Sequence, residues 1–193
     1  MDGLPIDKLE LALASVDDRK AQRSTDPNSV SAPTGNDERS IIVVASFIDK
    51  IPNLAGLCRT CEIFQAKALV VSDASVAKDP DFATISVSAS SWMPIEEVNR
   101  EDVGGWLQTM RREGGWSLVG LEQTDESISL PCFTWPCKTI LVLGAEKEGI
   151  PMDVLRLLDA TVEIPQLGVI RSLNVHVSGA LAVYSFTQGE SLA

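Results

Sequence analysis

Two glycine-containing loops in the last third of the chain carry residue types suited to binding a small ligand. Residues 144–149, Gly-Ala-Glu-Lys-Glu-Gly, follow a buried apolar run at residues 140–143, and a second such loop follows Pro165. A glycine lets backbone amides approach a ligand where a Cβ atom would obstruct them. The first loop is no P-loop, since no Lys-Ser/Thr follows it, and the chain has no G-x-G-x-x-G. The pattern alone therefore predicts either a nucleotide-like ligand site or a plain turn.

Several polar side chains elsewhere could take part in chemistry, although each also has a plain structural explanation. Asn53 stands at the start of a predicted helix, where it is a natural N-cap. Arg59 lies off the apolar stripe of that helix and could form a weak surface pair with Glu62. Ser172 or Asn174 can cap the last predicted helix. Residue type and spacing leave both explanations open.

Histidine and cysteine offer little further chemistry. His176 is the only histidine and falls in a predicted packed helix, which favours a structural or interface role and excludes a Ser-His-Asp triad. Cys58 and Cys61 have the spacing of some zinc and redox sites but lie within a helical pattern, and Cys132 and Cys137 are spaced too widely. We therefore predict no metal site, and expect buried, reduced thiols.

The elements that must position these residues alternate between strands and helices. Apolar runs without alternation predict buried strands. The predicted strands are residues 41–47, 68–72, 117–121 and 140–143, one ending at Pro165, and a strand or strand edge at 83–89 closing at 92–95. Helices are predicted from Pro52, over residues 98–113, from Pro151 through Leu158, and after Asn174. This order indicates an α/β fold with a mainly parallel sheet, which places a ligand at the carboxyl ends of its strands.

Composition sets the remaining limits. The 193 residues suffice for one core, but residues 1–40, apart from a weak helix at residues 9–16, are polar and rich in turn residues and should be a flexible segment. We expect an intracellular, cytoplasmic protein, because no segment would span a bilayer and residues 1–10 do not resemble a signal peptide. The net charge of −11 is unusual for a protein that binds nucleic acid.

Three sequence motifs resemble those of the SpoU/TrmH branch of the SPOUT RNA methyltransferases. Residues 53–59, Asn-Leu-Ala-Gly-Leu-Cys-Arg, resemble the first motif, and residues 141–150, Leu-Val-Leu-Gly-Ala-Glu-Lys-Glu-Gly-Ile, the second. Residues 164–168, Ile-Pro-Gln-Leu-Gly, with 171–175, Arg-Ser-Leu-Asn-Val, resemble the third. Residues 121–124 and 172–180 are most similar to the catalytic domain of eukaryotic tRNA ribose methyltransferases of the TAR-RNA-binding-protein type.

The resemblance implies a fold and a cofactor. The fold is the SPOUT fold with a C-terminal trefoil knot, formed by residues 41–193. The cofactor is S-adenosylmethionine (SAM), held mostly by backbone groups. By position, the resemblance assigns SAM binding to Leu121, Glu122, Leu143, Gly144, Ile164, Gln166 and Leu173. It assigns catalysis to Arg59, Asn53, Glu146, Ser172 and Asn174, with Glu146 a candidate to orient Arg59.

The implied reaction is methyl transfer to a ribose 2′-hydroxyl, which also distinguishes RNA from DNA. We expect tRNA as substrate, with a D-loop guanosine as target, and a homodimer whose active site uses both subunits. Ribosomal RNA methylation and a non-catalytic RNA- or SAM-binding module are the alternatives. Given the acidic charge, either a local patch built from Arg59, Lys67, Lys147 and Arg171 or an additional RNA-binding domain or protein would supply affinity for RNA.

Overall fold

The structure, a computed structural model, describes residues 39–170 and 172–189. Nearly all of the predicted flexible segment, including its helix at residues 9–16, lies outside the described residues, as does Arg171.

Seven strands form one sheet in the described part of the chain. They are β1 (Ser40–Val44), β2 (Ala68–Val71), β3 (Ile95–Glu97), β4 (Ser117–Leu121), β5 (Ile128–Ser129), β6 (Lys138–Leu143) and β7 (Ala160–Glu163). Their order across the sheet is β3-β2-β1-β6-β4-β7-β5, and each pair of neighbours runs parallel. The predicted α/β class with a parallel sheet is confirmed.

Within the described residues, five α-helices cover the two faces of this sheet. They are α1 (Ile51–Ile63), α2 (Pro80–Ser86), α3 (Val103–Gly114), α4 (Met152–Leu155) and α5 (Val175–Gln188). Successive residues of β1 point to opposite faces, so that Ile41 packs with α1, α2 and α5, while Ile42 packs with α3 and α4. Because helices cover both faces, the central strands are apolar throughout rather than alternating.

Some sequence-based boundaries were wrong. Residues 83–89 form no strand, because Pro80 starts helix α2 and the Asp79 side chain caps it by accepting a hydrogen bond from the Asp81 amide. Helix α3 begins at Val103, after a short 3₁₀ turn, rather than at residue 98. Helix α4 has only four residues and ends before Leu158. The strand β5, two residues long, was too short to give a periodic signal.

Two further expectations concern topology and surroundings. The C-terminal trefoil knot implied by the resemblance stays a prediction. Within residues 39–170 and 172–189, none of the helices has both the length and the apolar character needed to cross a membrane.

Candidate active site

A cavity of about 560 Å³ lies at the carboxyl ends of β4, β6 and β7, beside the start of α5. Its volume falls within the range of about 300–1,000 Å³ typical of small-molecule sites. The cavity therefore lies where the parallel sheet was predicted to place a ligand, at the carboxyl ends of the strands. The seven residues assigned to SAM all line this cavity: Leu121, Glu122, Leu143, Gly144, Ile164, Gln166 and Leu173.

The loop after β6 is closed by its own backbone. Ala145 and Gly149 exchange two N–H···O hydrogen bonds of 3.0 Å, and Gly149 adopts a positive φ of 70°. A Cβ atom on Gly144 would lie 2.4 Å from the Gly149 carbonyl carbon and 2.5 Å from the Ile150 nitrogen. Gly144 is therefore required first by the backbone of its own loop, a reason that the sequence did not reveal.

Glu122 secures the far end of that loop. Its Oε2 accepts a hydrogen bond of 2.9 Å from the Ile150 amide, and its Oε1 accepts one of 3.2 Å from the Gln123 amide. A Cβ atom on Gly149 would lie 2.4 Å from Glu122 Oε2, so the carboxylate fills the space that this glycine leaves. Glu122 thus shapes the cavity wall and adds negative charge to it.

A chain of polar contacts joins three of the predicted catalytic residues. Asn174 Nδ2 donates to Asn53 Oδ1 at 3.0 Å, and Asn53 Nδ2 donates to Glu146 Oε1 at 2.7 Å. The same Glu146 oxygen lies 3.4 Å from Lys50 Nζ. Asn53 is only 7% exposed, and a buried amide is stabilised when its hydrogen bonds are satisfied. The network fixes the orientation of Glu146 at the edge of the cavity.

Of the helix-capping roles expected from the sequence, that of Asn174 is observed and that of Asn53 is not. Asn53 is not an N-cap, since Lys50 occupies that position and Asn53 is the third residue of α1. Asn174 does cap α5, because its Oδ1 accepts hydrogen bonds from the amides of His176 and Val177. Asn174 therefore caps a helix with its oxygen and contacts Asn53 with its nitrogen. Ser172 precedes this cap and lines the cavity.

Arg59 stands apart from the other four predicted catalytic residues. It is exposed on α1 and is not among the residues that line the cavity. Within the described residues its side chain forms no hydrogen bond or ion pair, so the surface pair with Glu62 is not seen. The described partners of Glu146 are Asn53 and Lys50 rather than Arg59. Sequence reasoning missed Lys50, which lies just before the first motif and is distinguished only by its contact with Glu146.

His176 has the packing role favoured by the sequence. Its ring lies against Gly56, where a Cβ atom would come within 2.4 Å of His176 Nδ1. Its Nε2 lies 3.2 Å from Thr60 Oγ1, within hydrogen-bonding distance. Burial lowers the pKa of the imidazole below its usual 6.5, because it disfavours the charged form. Gly56 thus permits close contact between α1 and α5.

The cysteines fall into two groups. Cys58 and Cys61 are buried in α1, and burial raises the pKa of both thiols, that of Cys58 to about 12. Cys132 and Cys137 are exposed, which corrects the expectation that all four thiols are buried. Among the residues that the structure describes, no group of three His, Cys, Asp or Glu side chains is placed to hold a metal ion.

Comparison with known proteins identifies relatives of this chain. The family model described as "SpoU rRNA Methylase family" matches residues 40–184. The tRNA (guanosine(18)-2′-O)-methyltransferase TARBP1 of Mus musculus is 47% identical over 84% of the chain, and a tRNA (guanosine(18)-2′-O)-methyltransferase of Saccharomyces cerevisiae is 43% identical over 76%. The chain spans only 10% of the length of each of these two relatives.

Solved structures share the fold at low sequence identity. The SpoU methyltransferase AviRb from Streptomyces viridochromogenes, in complex with AdoMet, superposes with a TM-score of 0.68 at 21% identity, covering 86% of this chain and 64% of that one. The TrmH/SpoU tRNA modifying enzyme of A. aeolicus gives 0.66 at 22% identity, covering 79% and 75%. These similarities establish the fold alone.

Proposed function

The chain belongs to the SpoU methylase family, and on that premise we propose that residues 41–193 form a SAM-dependent RNA methyltransferase domain that acts on a ribose 2′-hydroxyl. One observation carries the proposal: the seven residues assigned to SAM line a single cavity, beside the network of Asn53, Glu146 and Asn174. We infer tRNA as the substrate, because the two relatives quoted are named tRNA (guanosine(18)-2′-O)-methyltransferases, and a D-loop guanosine as the target, as the motif resemblance implies.

The cavity fits SAM in size and charge. Gly144 and Gly149, with apolar side chains such as that of Leu143, form part of its wall, which suits readout of an adenine by main-chain groups. The carboxylates of Glu122 and Glu163 also line it and would favour a ligand that carries sulfonium and ammonium charges. When bound, SAM supplies a methyl group that its sulfonium charge already activates.

The protein must then orient the ribose hydroxyl and help to remove its proton as the O–CH₃ bond forms and the S–CH₃ bond breaks, which would leave S-adenosylhomocysteine as the product. Orientation can supply a large share of the rate enhancement, and the fixed Glu146–Asn53–Asn174 network provides rigid polar groups at the cavity edge. Arg59 would act on the hydroxyl or its neighbouring phosphate. A guanidinium stays protonated unless strongly perturbed, so Arg59 would serve as a base only with help from the substrate, and otherwise would stabilise the forming alkoxide.

We propose a homodimer in which Arg59 serves the cavity of the second copy. Arg59 is exposed one helical turn from Ile63, which is itself 58% exposed. On the neighbouring helix α5, Val177, Leu181 and Tyr184 form an exposed apolar stripe at helical spacing. A second copy would cover this apolar surface and bring its own Arg59 to the interface, which accounts for the distance of Arg59 from the cavity of its own chain.

The full substrate range and any further partner also belong to the proposal. The acidic charge and the 10% coverage of both relatives support an additional RNA-binding domain or protein, and an intracellular, cytoplasmic location stays a prediction. The basic patch expected from the sequence also stays a prediction. Ribosomal RNA is the second candidate substrate, and the matching family model bears that name.

Transfer of a labelled methyl group from SAM to purified tRNA and rRNA, followed by mapping of the modified nucleotide, tests the function. Methylation of a D-loop guanosine is the expected result. Labelling of rRNA alone would favour the second candidate. SAM binding in calorimetry without transfer to either RNA would indicate a non-catalytic module.

Mixing two inactive variants tests the shared site. Arg59→Ala retains the cavity, and Gly144→Val retains Arg59, so a mixed dimer would contain one complete site if Arg59 acts across the interface. After random exchange of subunits, about a quarter of the wild-type activity should return. No recovery despite proven exchange would show that Arg59 acts within its own chain.

A further inference from the structure

Lys50 lies at the rim of the cavity with little to hold its side chain. Its side chain is 67% exposed, and the contact recorded for its ammonium group is the 3.4 Å approach to Glu146 Oε1. That oxygen already accepts a shorter bond of 2.7 Å from Asn53, so Glu146 is held in place without Lys50. An exposed ion pair of this kind contributes little stability and is easily exchanged for another partner.

The backbone of Lys50, by contrast, is firmly anchored. As N-cap residue, its carbonyl accepts the first two amide hydrogen bonds of α1, at 2.9 and 3.1 Å. The preceding turn is held by Arg100, which donates to the carbonyls of Ser46 and Phe47 at 3.2 and 3.3 Å and forms an ion pair with Asp49. A fixed backbone with an exposed cationic side chain is suited to meeting a ligand at a defined place.

Charge points to the kind of ligand. Besides Lys50, the only basic residue that the described cavity wall contains is Lys147, whereas Glu122, Glu146 and Glu163 are acidic. An RNA chain that brings a ribose to this wall must also bring its phosphates, which the acidic side chains repel. The ammonium beside Glu146 is therefore a well-placed counter-charge for a phosphate that flanks the reacting ribose.

Building on the proposed function, we propose that Lys50 binds a backbone phosphate of the substrate RNA beside the ribose to be methylated, and gives up its ion pair with Glu146 to do so. Lys50 is then a positioning residue, since it fixes the nucleotide and takes no part in the transfer itself. When RNA is absent, the carboxylate of Glu146 is the partner of Lys50 in place of the phosphate.

The first test compares Lys50→Ala with Lys138→Ala in the full 193-residue chain. Lys138 lies at the amino end of β6, whereas the cavity lies at the carboxyl ends of the strands. Its variant therefore controls for the loss of one positive charge. Lys50→Ala should raise the KM for tRNA roughly tenfold, the scale of one charged hydrogen bond, and leave SAM affinity unchanged. The slope of log affinity against log salt should become shallower by about 0.7–0.9, the loss of one phosphate contact. Lys138→Ala should leave the KM for tRNA and the salt slope unchanged.

The second test uses the Glu146→Gln variant, in which Lys50 has no carboxylate partner. Direct titration with tRNA, without turnover, should show tighter RNA binding than the wild type, and adding Lys50→Ala should abolish the gain. If Lys50 acted only through Glu146, Lys50→Ala alone would lower kcat and leave the KM for tRNA and the salt slope unchanged. Adding Lys50→Ala to Glu146→Gln would then leave RNA affinity the same as in Glu146→Gln alone. Either result would overturn the proposal.

These outcomes are separate from those that judge the proposed function. A wild-type chain that binds tRNA without methylating it would contradict the enzymatic activity, whereas the salt slopes of the variants would still decide the role of Lys50.

Discussion

Replacing Gly144 by alanine, the smallest side chain available, should open the loop after β6. The new Cβ atom would lie 2.4–2.5 Å from backbone atoms of Gly149 and Ile150, and backbone cannot move aside as the end of a flexible side chain can. The loop must therefore separate from the end of β6. Three hydrogen bonds are then at risk: the two between Ala145 and Gly149, and the one from the Ile150 amide to Glu122.

The size of the effect follows from those three bonds. At about 0.5–1.5 kcal/mol each, their loss should lower the free energy of unfolding by roughly 2–4 kcal/mol. For a chain of this size the midpoint of thermal unfolding should fall by on the order of 10 °C. SAM affinity should also fall at least about tenfold, because the opened loop no longer forms the cavity wall.

Urea denaturation, followed by circular dichroism, and calorimetry with SAM would measure both effects. Gly105→Ala is the matched control, because no atom outside its chain neighbours and its own helix backbone lies within 4 Å of the position of its Cβ, and the residue is inside helix α3. That variant should gain about 0.5–1 kcal/mol of stability from the better helix propensity of alanine, with unchanged SAM affinity. The steric reasoning fails if Gly144→Ala is as stable as the wild type and binds SAM equally well.

Three further variants or conditions have definite expected results. Asn53→Ala should lower the methylation rate roughly a hundredfold with SAM affinity nearly intact, because Glu146 loses its orienting partner; a wild-type rate would remove Asn53 from the site. Stability should fall as pH drops below about 6.5, since the unfolded chain binds a proton that the half-buried His176 takes up only at lower pH. Urea titrations between pH 5 and 8 should show that the free energy of unfolding depends less steeply on pH in His176→Gln than in the wild type. An equal dependence on pH would contradict this account. A thiol reagent at pH 8 should modify Cys132 and Cys137 and spare both cysteines of α1, whose pKa values are raised by burial, as mass spectrometry would show.

The sequence predicted the parts of the fold that have long, uniform patterns. The buried strands β1 and β6 were found because both faces of the sheet are covered and their residues are apolar throughout. Residues 83–89 were misassigned because small and β-branched residues alternate there, while the deciding signal was local: the Asp79 cap followed by Pro80. A single capping hydrogen bond outweighed the apparent periodicity.

For the candidate site, the sequence predicted which residues belong to it but not which of them contact one another. The glycines of the ligand loop and the residues at strand ends could be located, since parallel strands end at a common edge. The link from Asn53 to Glu146 and Asn174 joins residues about a hundred positions apart, which no local pattern encodes. Lys50 was missed for the same reason, because its interest comes from a carboxylate that the sequence places 96 residues away.

The bond between Asn53 and Asn174 also sets a time at which the protein can first become functional. The two residues are 121 positions apart, so at about 5–20 residues per second a ribosome needs roughly 6–24 s to add the second after the first. During that interval Asn53 lacks Asn174, and over the first 93 residues it lacks Glu146 as well, while the face of α1 that receives α5 is bare. A nascent chain must therefore keep an apolar helix face from other contacts until its own last helix emerges.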